Sequence, residues 1–114
     1  MAGKTRSVVI VMYDNALLLD VASAMQVFAT YNMLLASPEQ PAYAVRVVSA
    51  GGGLVTTSAG LALQTEALPD PRQPIDTLIV CGGAGRHHAV RDDRLLSWVR
   101  AAAPQARRVC SVCS

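Results

Sequence analysis

The chain has 114 residues, 52% of them hydrophobic and 16% charged, which is enough apolar content for one domain with a buried core. Ten basic and eight acidic residues are scattered to a net charge of +2, without the clustered basic surface that nucleic acid requires, so these residues encode no DNA-binding face. Lys4 and Arg6 precede an apolar run over 8–12 that Tyr13, Asp14 and Asn15 cut too short for a signal peptide, and no other stretch is expected to span a bilayer; with three cysteines, an odd number, this predicts reduced thiols in the cytoplasm.

Residues 7–12 form a continuous, largely β-branched run, the pattern of a strand buried on both faces of a parallel sheet. After Asp20, the positions Val21, Ala24, Met25, Phe28 and Leu35 follow helical spacing, and Ser37-Pro38 ends a helix of about four turns. Valine-rich residues 43–49 predict a second strand. Gly51-Gly52-Gly53 then introduces two short, more polar strands at 54–58 and 61–64, expected to form a β-ribbon beside the main sheet. Three prolines over 69–74 mark a surface connection before a buried strand at 75–81 that runs into Gly82-Gly83-Ala84-Gly85. Asp92 or Asp93 caps a further helix with an inward stripe of Leu95, Trp98, Val99 and Ala102, and residues 107–113 give the last strand, also expected to be buried.

This alternation predicts a mostly parallel sheet with helices on both faces, in which ligands bind beyond the carboxyl ends of the strands. Those ends carry Tyr13 to Asn15, Cys81 to Gly85, and Cys113-Ser114. A buried strand at 107–113 needs a helix to return over the sheet, so the 114 residues are expected to be the first part of a longer domain.

Cys113 falls where a strand hands over to a helix. It reads either as a thiol exposed on a tight turn and activated by the following helix, or as a buried structural cysteine. Cys110 and Cys113 have redox CxxC spacing. On a strand, however, three residues span roughly 10 Å and the side chains diverge, whereas a disulfide needs α-carbons within about 7 Å. The redox pair is rejected and Cys110 is assigned to the core. Gly82 and Gly83 either let backbone amides approach a ligand or make a plain tight turn. Asp20, after an apolar stretch, either shares a proton with a nearby thiol or caps the first helix. His87 and His88 lack further ligands at a recognised spacing, so neither metal nor cofactor is expected.

Taken together, Leu17-Leu18-Leu19-Asp20-Val21, the strand-borne Cys81-Gly82-Gly83, and Ser111-Val112-Cys113-Ser114 resemble successive motifs of the ThiJ/PfpI superfamily. Leu-Asp-Val-Ala at 19–22, Gln-Val-Phe at 26–28, Ile-Asp-Thr-Leu at 75–78 and Ser-Val-Cys-Ser at 111–114 are most similar to the amidase-like domain of GlxA-type AraC-family regulators. The resemblance covers essentially the whole chain. It implies a flavodoxin-like α/β/α sandwich, a nucleophile elbow at Cys113, Asp20 as the acidic partner of that cysteine, and an oxyanion pocket from the amides of Gly83 and Ser114, next to Gly82. Cys81 stands where many members carry proline, and Ser114 replaces the histidine of protease-like members, which argues against peptidase activity.

The resemblance further implies a homodimeric sensing domain that binds a small amide-like or amine-derived metabolite near Cys113, with DNA contacted only through a C-terminal domain outside this chain. An isocyanide hydratase-like or amidase-like enzyme using Cys113 is the alternative. A third is a redox protein with an oxidisable Cys113.

Overall fold

Val8, Val9, Ile10 and Val11 have essentially no exposed surface, because the strand they form lies at the centre of the sheet with a layer on each face. The computed structural model describes residues 4–112. In chain order the elements are β1 (Arg6–Val11), α1 (Leu18–Leu35), β2 (Tyr43–Ser49), β3 (Gly53–Thr56), β4 (Ala62–Ala67), β5 (Ile75–Val80), the single turn α2 (Arg86–Ala89), α3 (Asp93–Ala102) and β6 (Ala106–Ser111). The six strands make one sheet in the order β3-β4-β2-β1-β5-β6, parallel throughout except for the antiparallel β3–β4 pair. The expected ribbon therefore joins the main sheet, through Val48 opposite Glu66 and Ser49 opposite Ala67. A buried hydroxyl chain reinforces that join: the Ser49 and Thr65 hydroxyls lie 2.7 Å apart, and Thr65 Oγ1 donates to the Gly53 carbonyl.

Alternation along the strands sorts the core into two layers. Val8, Ile10, Met12, Val47 and Ile79 face α1 with Val21, Ala24 and Phe28; Val9, Val11, Val48 and Leu78 face α3 with Leu95, Trp98 and Ala102. This is the mostly parallel, flavodoxin-like α/β arrangement. Asp92 caps α3 by accepting from the Leu95 amide, and the Trp98 indole donates to the Pro69 carbonyl at 2.6 Å. The cap fixes the start of α3, and the indole ties it to the loop after β4.

Expectations for α1, for β6 and for Cys110 need correction. First, α1 begins at Leu18 and is 18 residues long, and Met25 and Leu35 are exposed, so neither belongs to its inward face. With a mean hydropathy of 1.2, α1 is long and apolar enough to cross a membrane by length and composition, contrary to the sequence-based exclusion. Here its Val21–Ala24–Phe28 side packs on the sheet, and the Asn32 amide group bonds the Ala42 and Tyr43 backbone. Second, β6 is not buried. Third, Cys110 is exposed instead of lying in the core. Cys110 sits opposite Ile79, which places it on the α1 side of the sheet, and α1 packs on β1 and β2 rather than on the β6 edge strand, which is largely exposed. An ion pair holds that edge instead: Arg107 Nε donates to Asp76 Oδ1 at 2.7 Å, and this hydrogen bond is the main reason the Asp76 carboxyl falls to about 2.

Candidate functional site

The chain moves from β1 to β2 in one direction across the sheet and from β5 to β6 in the other, which opens a crevice at the carboxyl ends of β1 and β5. Two loops cross there: residues 12–17, leading into α1, and residues 81–85, leading into α2. Hydrogen bonds interlock them residue by residue. The Leu17 amide donates to the Gly82 carbonyl at 2.9 Å, and the Gly82 amide donates to Asp20 Oδ2 at 3.0 Å. The Gly82 backbone is thus held at both ends by the start of α1. The Gly85 amide donates to the Asn15 carbonyl, while Asn15 itself, at a positive φ of 63°, donates to Thr56 of the ribbon.

Asp20 is 6% exposed and stands in the first turn of α1, not at its N-cap; the N-cap is Leu17, whose side chain makes no capping bond. Its carboxylate reaches across to β5. The capping alternative for Asp20 is thereby set aside, because the acceptor serves another loop. Gly82, expected as a ligand-facing donor, has its amide engaged by that same carboxylate.

Gly83 is different. It is buried, has φ of 127°, and its amide donates to nothing among the described residues. A buried amide without an acceptor is costly. A β-carbon on Gly83 would lie 2.6 Å from the Leu17 nitrogen and 2.9 Å from the Asn15 oxygen, and one on Gly85 would land on the Asp14 carbonyl. Both glycines are required by the close crossing of the loops.

Two residues that sequence reasoning did not assign complete the crevice. Tyr13, at the end of β1, donates its hydroxyl to the Cys81 carbonyl at 2.6 Å; burial first, and then neighbouring Cys81, push its phenol above the ordinary value, with Arg86 pulling the other way. Position at a strand end was the one available signal for Tyr13. Arg86 donates through Nη1 to the Gly83 carbonyl at 3.1 Å, and nothing in its local sequence announced it. Cys81 is 3% exposed, and desolvation followed by the Asp20 charge pushes its thiol to about 12, so it stays a protonated core thiol at neutral pH. His87 and His88 lie exposed on α2, and among the described residues no three His, Cys, Asp or Glu side chains cluster as metal ligands.

Cys113 and Ser114 lie outside the described residues. Val112, the last of those described, ladders onto the Val80 carbonyl and packs with Cys81 on the α1 side.

A mostly parallel α/β sheet with interlocked loops at the carboxyl ends of its central strands is the architecture of the class of flavodoxin-like α/β domains. The DJ-1/PfpI family model matches residues 6–114, and the chain belongs to that family. It is 30% identical over 109 residues to the HTH-type transcriptional regulator GbdR of Pseudomonas aeruginosa, a match covering 96% of this chain and 29% of GbdR. Isonitrile hydratase of Pseudomonas putida is 38% identical over 60 residues, covering 53% of this chain and 26% of that enzyme. Among solved structures, a ThiJ/PfpI family protein from Pseudomonas syringae superposes with a TM-score of 0.82 at 22% identity, over 99% of this chain and 44% of that one. An AraC family transcriptional regulator from Pseudomonas putida superposes at 0.67 and 25% identity, over 93% and 63%. The chain thus spans less than two thirds of the length of each of these relatives.

The loop crossing makes a direct prediction. Gly83→Ala is expected to lower stability to urea by at least about 2 kcal/mol through strain and backbone collision; a loss within about 0.5 kcal/mol, as at an ordinary surface position, would contradict the crossing as described.

Proposed function

We propose that these residues form the ligand-sensing domain of an AraC-family, GlxA-type transcription regulator, binding a small metabolite in the crevice beside Cys113. The observation that carries this reading is the 30% identity to GbdR along 96% of the chain. The crevice supports it: a family match through residue 114 includes the Cys113 motif, and the Gly83 amide has no acceptor among the described residues. In this reading Asp20 is the acidic partner of Cys113, the Gly83 and Ser114 amides receive the polar end of the ligand, and DNA is contacted by a part of the protein outside these residues. The chain is then the first part of a longer, cytoplasmic polypeptide. Gene sequence beyond Ser114 encoding helix-turn-helix units supports the regulator, whereas a continuation that only completes the sheet removes it.

One observation favours a second reading, an isonitrile hydratase-like enzyme: the 38% identity to that enzyme over 60 residues. There Cys113 would attack the electrophilic carbon, Asp20 would manage the proton and the free amides would hold developing charge. Both readings use one crevice, but only the enzyme needs an activated Cys113. Its alkylation by iodoacetamide, followed by peptide mass spectrometry so that exposed Cys110 is scored separately, is expected to show a pH midpoint below the free-thiol value of about 8.5. A midpoint at or above it would sink the catalytic and redox alternatives, and a Cys113→Ala protein with full hydratase activity would remove the enzyme as stated.

The sensing domain is proposed to work as a homodimer through the outer face of α1. Asp20 is the one charged residue among the eighteen of that helix, and it is buried; Val27, Tyr31 and Leu34 make an exposed stripe at helical spacing. Sedimentation velocity is expected to give a dimer that Val27→Glu with Leu34→Glu converts to a folded monomer. A monomeric wild-type protein would contradict the proposal.

A further inference from the structure

Beside Tyr13 the crevice opens into a cavity of about 320 Å³, within the range of small-ligand sites. Its walls are largely apolar, built by Val80, Leu95, Val99 and Val112, and Arg86 brings the one charge among its lining residues. Arg46, Arg72 and Arg107 each pair with a carboxylate, whereas Arg86, like Arg6, Arg91, Arg94, Arg100 and Arg108, pairs with none among the described residues. Exposed arginines are ordinarily swinging, solvated cations. This one is tethered: Nη1 and the Arg86 backbone amide both donate to the Gly83 carbonyl at 3.1 Å. That leaves most of the guanidinium fork unspent at the rim of an apolar cavity.

We propose that the ligand of this crevice is a small monocarboxylate with an apolar body, and that Arg86 receives its carboxylate. This inference rests on the reading of the crevice as a ligand site and adds the ligand's chemical class. A guanidinium without a counter-charge repels a cationic ligand and gains less from a neutral one, while its fork matches the two oxygens of a carboxylate. A single arginine among apolar walls suits one negative charge better than a phosphate dianion. Tyr13, whose hydroxyl proton is committed to the Cys81 carbonyl, keeps its oxygen lone pair for any donor on the ligand.

The test uses the full-length native polypeptide, titrated calorimetrically with butyrate and with its neutral counterpart butyramide, alongside Arg86→Gln and Arg86→Lys. Butyrate is expected to bind at least about tenfold more tightly than butyramide, the Gln variant to lose that preference, and the Lys variant to retain part of it. Equal affinity for the two compounds, an unchanged preference in Arg86→Gln, or no saturable butyrate binding would each overturn the proposal. Iodoacetamide protection separates this failure from that of the underlying reading. Protection of Cys113 by butyramide and butyrate alike would keep the sensing site and overturn the carboxylate; Arg86-dependent butyrate binding that leaves Cys113 alkylation unslowed would support the carboxylate and remove its link to Cys113.

Discussion

The buried carboxylate of Asp20 and the amide of Gly82 are the pair on which the rest of the crevice depends. Asp20 sits in the first turn of α1 and Gly82 sixty-two residues later at the end of β5, so a hydrogen bond of 3.0 Å between them fixes where the helix starts relative to the central strands. The return bond from the Leu17 amide to the Gly82 carbonyl makes the contact two-sided. A charge-assisted bond in a desolvated setting is worth more than an ordinary one, and leaving either partner unpaired there is costly. Gly83 and Gly85 follow from this constraint, since two loops locked at backbone distance leave no room for a β-carbon. So does the unspent Gly83 amide: with Gly82 turned to Asp20, the next amide has no acceptor among the described residues.

The two faces of the sheet are finished to different degrees. The α3 layer is tied down by a capped helix with an inward stripe and an indole bonded to the Pro69 carbonyl. The α1 layer buries a narrow side of its helix and leaves leucines and a valine outside, and β6 leaves Val109 and Cys110 exposed at the sheet edge. These are the surfaces where an apolar partner, from the same polypeptide or another copy, would remove area from water at about 25 cal/mol per Å². The crevice lies between the finished and the open surfaces.

Much of this architecture was legible in the sequence because strand burial and turn chemistry are local properties. The β-branched run at 8–11 is a central strand, the Gly51–Gly53 punctuation does introduce a two-stranded ribbon, and Asp92 does cap α3. Helical spacing picked Val21, Ala24 and Phe28 correctly and Met25 and Leu35 wrongly, since apolar residues surround α1 and periodicity cannot say which side meets the sheet. Burial of β6 and Cys110 was misjudged for a related reason: an apolar strand is described alike whether or not a neighbour covers it. At the loop crossing, the sequence singled out Asp20 and Gly83 as candidates, whereas the fate of each hydrogen-bonding group was not readable from it. Only the three-dimensional crossing shows that the Gly82 amide is spent, that Tyr13 braces Cys81, and that Arg86 folds back onto Gly83.

The central claim, that the Asp20 carboxylate locks the Gly82 turn, is tested most directly by hydrogen exchange at the Gly82 amide in the wild-type protein and in Asp20→Ala. Slow exchange in the wild type that accelerates by at least about tenfold in the variant, while the β1 amides stay protected, is the result the account predicts. Fast wild-type exchange at Gly82, or protection unchanged by the substitution, would contradict it.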